Sequence, residues 1–397
     1  MRRMRAAYGI ALLALAACFA GAGCAPSEDD SPVDTRADAV LTGADVLVRD
    51  GFRQLDGLSI GLIANHTAVS GGRHLADLIH EAPNVELAAL FGPEHGLRGQ
   101  AAAGEQVADG IDDATGAPVY SLYGDTRRPT PEMLEGVDAL VFDIQDVGAR
   151  FYTYISTMGL AMQSATENGI PFYVLDRPNP LGGEVMEGFV LDTTHTSFVG
   201  LYPIPQRHGM TVGEIAGMIR GQAWLPAVDS VELHVVPMSG WTRSTLWPET
   251  GLDWLPPSPN LPSFESALVY PGTALFEATT ASEGRGTPSP FLTVGAPWLP
   301  ADSVLARLPV ESIEGLRLVA GRATPVELPG KAVNPKFEGQ PMEAIVIEVR
   351  SPGSVRAVEF GIDLVRTVYE SAPDSVRQAF FNERWLTLLS GTDRLLG

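Results

Sequence analysis

The segment GVDALVFDIQDVGARFYTYISTMGLAMQSATENGIPFYVLD, residues 136–176, decides the fold. Two apolar runs, GVDALVFDI and IPFYVLD, flank TYISTMGLAMQSATENG, which has a helical period and a glycine, Gly169, at its natural C-terminal stop. Runs this rich in Val, Ile, Leu and Phe read as strands buried on both faces, because a strand with one wet face would alternate. Strand, helix and strand in succession therefore predict a parallel pair with a crossover helix. The same texture extends outward. Upstream, LSIGLIAN and VELAALF read as strands, with RHLADLIHEAP between them as a helix stopped near Pro83. Downstream, MTVGEIAGMIRG reads as a helix with Thr211 as N-cap and Glu214 closing a capping box, followed by the strand VELHVVP. The expectation is an α/β domain with a Rossmann-like, mostly parallel, doubly wound sheet.

Beyond Pro237 the texture changes. Residues 239–262 are rich in Trp, Pro and Gly and carry little periodicity, as in a functional loop or a domain crossing. FLTVGAPWL, GLRLVAG and MEAIVIEVR then read as strands, and SVRAVEFGIDLVRTVYES and NERWLTLLSGTDRLL as helices. They predict a second, smaller α+β domain. The expected organisation is a signal peptide over residues 1–24, a polar tether over 25–37, a Rossmann-like domain over 38–237 and an α+β domain over 238–397.

The chain has 397 residues, 45% of them hydrophobic, which is enough for a sizeable core. Its net charge of −21 argues against nucleic acid, whose phosphates demand a basic face. At the N-terminus, MRRMR precedes AAYGIALLALAACFAGAGC, a basic region and an apolar run too short for a comfortable membrane span. LAAC and GAGC each resemble a lipobox, ending on the chain's two cysteines, Cys18 and Cys24. The reading is an exported periplasmic or cell-surface lipoprotein, held to a membrane by a lipid on one of them. With both cysteines in the signal, the mature fold has no disulfide to draw on.

In an open parallel sheet, ligands bind beyond the carboxyl ends of the strands. Those ends are heavily loaded here. The first strand ends in Asn65-His66-Thr67, and the second in Glu94-His95 with Arg98 behind. The third ends in Asp143-Ile144-Gln145-Asp146 with Arg150 following, and the fourth in Asp176-Arg177-Pro178-Asn179. Parallel strands would set all four clusters on one rim. Asp143 and Asp176 also read as caps of the helices that follow, and His66 and His95 as structural histidines. Glu94, fenced by Pro93 and Gly96, is the strongest functional candidate. A carboxyl held partly dry against apolar strand ends can donate a proton to a leaving oxygen. The second domain adds Asn260, Glu283 and Arg285 in polar loops, and Trp241, Trp247 and Trp254 as rings able to stack on sugars. No GxGxxG follows the first strand, and there is no Walker A loop, HExxH or GxSxG. No cofactor is expected, and no metal: DIQD alone is a weak magnesium signal.

Several strings together resemble the exo-β-N-acetylmuramidase family of NamZ type, long catalogued as a domain of unknown function. They are GLIANHTAV, LFGPEHGLRG, VFDIQDVGARFYTYISTM, VLDRPNPLGG, RHGMTVGEIA, PPSPNLP, YPGTALFEATTASEGRGT and GAPW, in order over about residues 58–298. The resemblance implies an active site in a cleft between a Rossmann-like and a smaller domain. It also implies release of N-acetylmuramic acid from the non-reducing end of peptidoglycan fragments. Glu94 is then the best carry-over for a catalytic carboxylate, with Asp143, Asp146, Glu187 and Glu283 as candidates for its partner. The matching candidates for substrate binding are Asn65, His66, His95, Arg98, Arg150, Tyr152, Asp176, Arg177, Asn179, Arg207, His208, Asn260 and Arg285. N-acetylmuramic acid carries a lactyl carboxylate, which a guanidinium fork suits. Arg98, Arg150, Arg177, Arg207 and Arg285 are the candidates for that contact. Glycoside cleavage needs an acid for the leaving oxygen and a second group for the oxocarbenium-like carbon. A sequence carries no distances, so retention, inversion and assistance by the substrate's acetamido group all stay open. A non-catalytic wall-binding lipoprotein would share the cleft without needing Glu94.

Overall fold

The structure, a computed structural model, describes residues 39–94, 96–98, 109–124 and 126–396. The signal-like segment, the tether, Cys18, Cys24 and His95 lie outside the described residues. In chain order the strands are β1 (Ser59–Ala64), β2 (Val69–Ser70), β3 (Arg73–His74), β4 (Glu86–Gly92), β5 (Gly110–Ile111), β6 (Pro118–Ser121), β7 (Ala139–Asp143), β8 (Phe172–Leu175), β9 (Leu233–Val236), β10 (Thr293–Ala296), β11 (Leu316–Ala323) and β12 (Met342–Val349). The helices are α1 (Gly43–Arg49), α2 (Leu75–Glu81), α3 (Tyr154–Asn168), α4 (Val212–Gly221), α5 (Phe264–Thr273), α6 (Ala301–Leu305), α7 (Ala357–Ser371), α8 (Asp374–Arg377) and α9 (Glu383–Ser390). Among the described residues no helix is long and apolar enough to cross a membrane.

Seven strands form one sheet in the order β5-β6-β4-β1-β7-β8-β9. Every pairing is parallel except the edge pair β5-β6. The central strands are buried on both faces. In β7, Leu140 and Phe142 enter one core while Ala139 and Val141 enter the other. In β1, Ile60, Leu62 and Ala64 face the layer of α1 and α2, and Ile63 faces the layer of α3 and α4. This double burial explains why these strands read as unbroken apolar runs. Local signals close the helices as expected. Gly169 ends α3 in the left-handed region, with φ 69°. The Thr211 side chain accepts from the Glu214 amide and Glu214 returns the bond, so the capping box of α4 is complete.

The second domain is a three-stranded antiparallel sheet, β10-β12-β11, with α5, α7 and α9 packed beside it. The helix α5 has no counterpart in the sequence reading. It lies in SPNLPSFESALVYPGT, where proline punctuates both ends and Pro271 sits inside the last turn. A Ser263–Ser266 capping box starts it instead. One apolar cluster joins Phe142, Ile155 and Val174 of the large sheet's layer to Phe276, Phe291, Ile345 and Phe360. The two sheets therefore share a core.

Candidate active site

Four of the parallel strands, in the order β4, β1, β7 and β8, end on one edge of the large sheet. Glu94 lies two residues beyond β4, in a turn closed by the Gly96 amide bonding to the Pro93 carbonyl at 2.9 Å. A Cβ on Gly92 would come within 2.9 Å of the Leu97 nitrogen, so this tight reversal needs glycine there. Glu94 lines a cavity of about 620 Å³, within the range of small-molecule sites. Tyr123, Arg127, Thr153, Ser197 and Phe198 join it from the first domain. From the second come Tyr270 on α5, Glu277 and Arg285 after it, Lys331 in a loop, and Trp385 and Leu388 on α9.

Two neutral hydroxyls bond Glu94 among the described residues. Thr153, at the start of α3, donates to its Oε2 at 3.2 Å, and the Tyr123 phenol also hydrogen-bonds it. Burial, then the Glu94 charge, push the Tyr123 hydroxyl up to about 12, so it keeps its proton and serves as a donor. Behind them, Tyr152 meets Tyr154 edge-on at 4.9 Å and Tyr270 at 6.1 Å. Burial raises all three of these phenols above their ordinary range. The Tyr154 hydroxyl donates to the Pro257 carbonyl at 2.9 Å. The second wall carboxylate, Glu277, is bound instead to a guanidinium, Nη2 of Arg285, at 2.9 Å. Burial acts to lower Arg285, but Glu277 and Glu283 outweigh it and hold the group above its usual range.

Most of the other residues singled out from sequence support this wall without facing the cavity. Asp143 is fully buried and grips Arg177 through two bonds of 2.5 and 2.9 Å, which corrects its reading as a catalytic acid and that of Arg177 as a substrate contact. Asp176 braces α4, accepting from the Thr211 hydroxyl and the Gly213 amide, so its capping role is the one observed. Asp146 accepts from the Gly148 amide at 2.7 Å and stands 3.4 Å from buried His208. Asn65 closes its own turn through Thr67, and Asn179 binds the Leu181 amide and the Met210 carbonyl. His66 reaches the Pro256 carbonyl at 2.8 Å, joining the β1 end to the long loop.

The arginines divide sharply. Arg150, 1% exposed, donates to the carbonyls of Phe189, Ile204 and Leu389. Arg207 is buried against Glu187 and the carbonyls of Leu181 and Val355. Arg98 is held by Asp77 and Asp112, away from the cavity lining. Of the five arginines expected to meet a lactyl group, only Arg285 reaches the wall. Glu283 is buried behind it, bound to Lys336 at 3.0 Å and to Arg285 at 3.5 Å, and Glu187 is taken by Arg207 and the Val358 amide. Asn260 donates to the Lys331 carbonyl at 2.7 Å and so fixes the loop that carries Lys331. Trp247 and Trp254 pack edge-on in a small core of their own, and the tryptophan that lines the cavity is Trp385. Sequence reasoning missed Tyr123, Arg127, Tyr270, Glu277, Lys331 and Trp385. Glu277 shares the segment YPGTALFEATTASEGRGT with Glu283, and nothing in the local sequence tells which of the two acids faces the cavity. Among the described residues no three His, Cys, Asp or Glu side chains gather to hold a metal ion.

A parallel sheet whose strand ends meet a second domain around carboxylates, hydroxyl donors and an aromatic ring defines a class: α/β proteins with an interdomain cleft suited to sugar chemistry. The comparison with family models narrows it. The chain belongs to the exo-β-N-acetylmuramidase NamZ family, whose N-terminal model matches residues 60–265 and whose C-terminal model matches residues 268–397. Peptidoglycan beta-N-acetylmuramidase NamZ of Bacillus subtilis (strain 168) is 44% identical over 349 residues, covering 88% of this chain and 82% of that protein. Two crystal structures of DUF1343 family proteins from Bacteroides fragilis share the fold. One has a TM-score of 0.81 at 38% identity, covering 90% of this chain and 91% of its own. The other has a TM-score of 0.72 at 34% identity, covering 90% and 89%.

Proposed function

We propose that this protein is an exo-acting glycoside hydrolase that releases N-acetylmuramic acid from the non-reducing end of peptidoglycan fragments, with Glu94 as a catalytic carboxylate. Family membership and the Bacillus relative support the reaction class. The single observation that carries the residue is its position: Glu94 stands just past a strand end on the cavity wall, within hydrogen-bonding reach of the Thr153 and Tyr123 hydroxyls. In this reading Glu94 handles the proton of the leaving oxygen, and Tyr123 and Thr153 orient its carboxyl. Glu277, set by Arg285, is the second carboxylate of the wall and takes the role of facing the oxocarbenium-like carbon.

Glu94→Gln keeps the shape and removes the proton chemistry. Its turnover of a chromogenic β-N-acetylmuramide is expected to fall by about 10²–10⁴-fold, with the affinity for free N-acetylmuramic acid retained. An unchanged rate would mean that the cleft binds glycan without using Glu94. We also infer that the chain is exported and lipid-anchored, on the strength of the two lipobox-like strings. Fatty-acid labelling that persists when both Cys18 and Cys24 are replaced by Ala would refute the anchor.

A further inference from the structure

Three cations line the cavity: Arg127, Arg285 and Lys331. Their charges are not equally available. Arg285 lies between Glu277 and Glu283, and Glu283 also holds Lys336, so two acids and two bases close on one another. A substrate carboxylate arriving at Arg285 would have to displace a partner already in place or sit beside two like charges. Arg127 and Lys331 have no ion pair among the described residues, whereas Arg128, the next residue along, is bound to Glu167 at 2.8 Å. In a chain with a net charge of −21, two cations without an ion pair among the described residues thus stand on one cavity wall.

Arg127 is also oriented. Its guanidinium carbon lies 4.4 Å from the ring centroid of Phe198, another cavity residue, which holds the planar group and leaves its N–H edge to bond elsewhere. Beside Phe198, the buried Ser197 hydroxyl has no hydrogen-bond partner among the described residues. The Lys331 loop is fixed by the Asn260 bond to its carbonyl and by its own amide bonding to Leu328. On the one cavity, the Arg127 fork and the Lys331 ammonium supply the charged donors that an anionic oxygen pair calls for.

We propose that Arg127, assisted by Lys331, reads the lactyl carboxylate of the terminal N-acetylmuramic acid, and that Arg285 does not. This rests on the muramidase reading above and names the group that would set its choice of sugar. Both residues are exposed, so their replacement should leave the fold intact.

The test compares three chromogenic substrates: the β-N-acetylmuramide, the same sugar with its lactyl group capped as a methylamide, and the β-N-acetylglucosaminide. Arg127→Gln should lower kcat/KM on the muramide by roughly 10- to 100-fold, the loss expected for a charge-assisted contact. It should change the other two less than about threefold, because capping and mutation remove the same interaction and do not add. Lys331→Gln should show the same selectivity with a smaller loss. Equal losses on all three substrates, or no loss on the muramide, would overturn the assignment while leaving the enzyme reading intact. Wild-type protein that neither cleaves the muramide nor binds free N-acetylmuramic acid in a calorimeter would overturn both. Arg127-dependent binding without cleavage would keep the assignment and remove the enzyme.

Discussion

Asp176 shows how a strand-end carboxylate can look catalytic and serve the scaffold. It is 8% exposed, and its oxygens accept from Thr211, Gly213 and the Arg177 amide. Burial lifts its carboxyl from 3.8 to about 6, because those three donors only partly offset the lost hydration. A folded-state value above the ordinary one means that the native state binds the proton more tightly than the unfolded chain. The stabilising contribution of this group is therefore complete below about pH 4 and is lost as pH rises through about 6. A shift of this size corresponds to about 2–3 kcal/mol. Asp176→Asn should flatten that part of the stability profile, read as urea unfolding between pH 4 and 7. A wild-type profile whose slope the variant reproduces would show that Asp176 is not responsible. Glycosidic activity is a separate matter, since Asp176 does not line the cavity.

The elements that carry the second wall depend on one close crossing. Helices α5 and α7 touch backbone to backbone at Gly272 and Gly361. A Cβ on Gly272 would lie 1.8 Å from the Ala357 carbonyl oxygen, and one on Gly361 would lie 2.3 Å from the Gly272 Cα. No side-chain adjustment relieves a backbone clash, so Gly361→Ala should cost about 3 kcal/mol or more in denaturant unfolding. Loss of less than about 1 kcal/mol would mean that the helices stand further apart. The substitution should also disturb the cavity through Tyr270 on α5. This crossing has no signature in the sequence, since the helix on one side of it, α5, was hidden by prolines. The elements that were legible, such as β1, β7, α3 and α4, have a period or a cap written into consecutive residues. Elements such as α5 and the short β6 owe their form to neighbours far away in the chain.

At the scale of the molecule, the same distinction separates the legible part of the site from the rest. Glu94 was readable because a parallel sheet puts every strand end on one rim, which is a consequence of topology. Which arginines reach the cavity was not readable, because burial decides it: Arg150 and Arg177 follow strand ends and Arg207 precedes α4, but all three fasten distant segments together. Arg150 is the clearest case. From the end of β7 it reaches carbonyls of residues 189, 204 and 389, so a single side chain ties the α9 wall to the large sheet. Burial brings its guanidinium down to about 10, still charged at neutral pH, and three carbonyl oxygens take the place of water. A shared apolar cluster and such ties make the two sheets one cooperative body rather than two modules joined by a hinge. Calorimetry should then show one unfolding transition, with calorimetric and van't Hoff enthalpies in agreement. Arg150→Met should lower that transition as a whole, by about 3 kcal/mol for a lost set of charged hydrogen bonds, without splitting it. Because Leu389 belongs to the cavity wall, the same variant should raise KM for the muramide more than it lowers kcat. Two resolved transitions, in the wild type or in the variant, would show that the domains unfold independently and that Arg150 does not couple them.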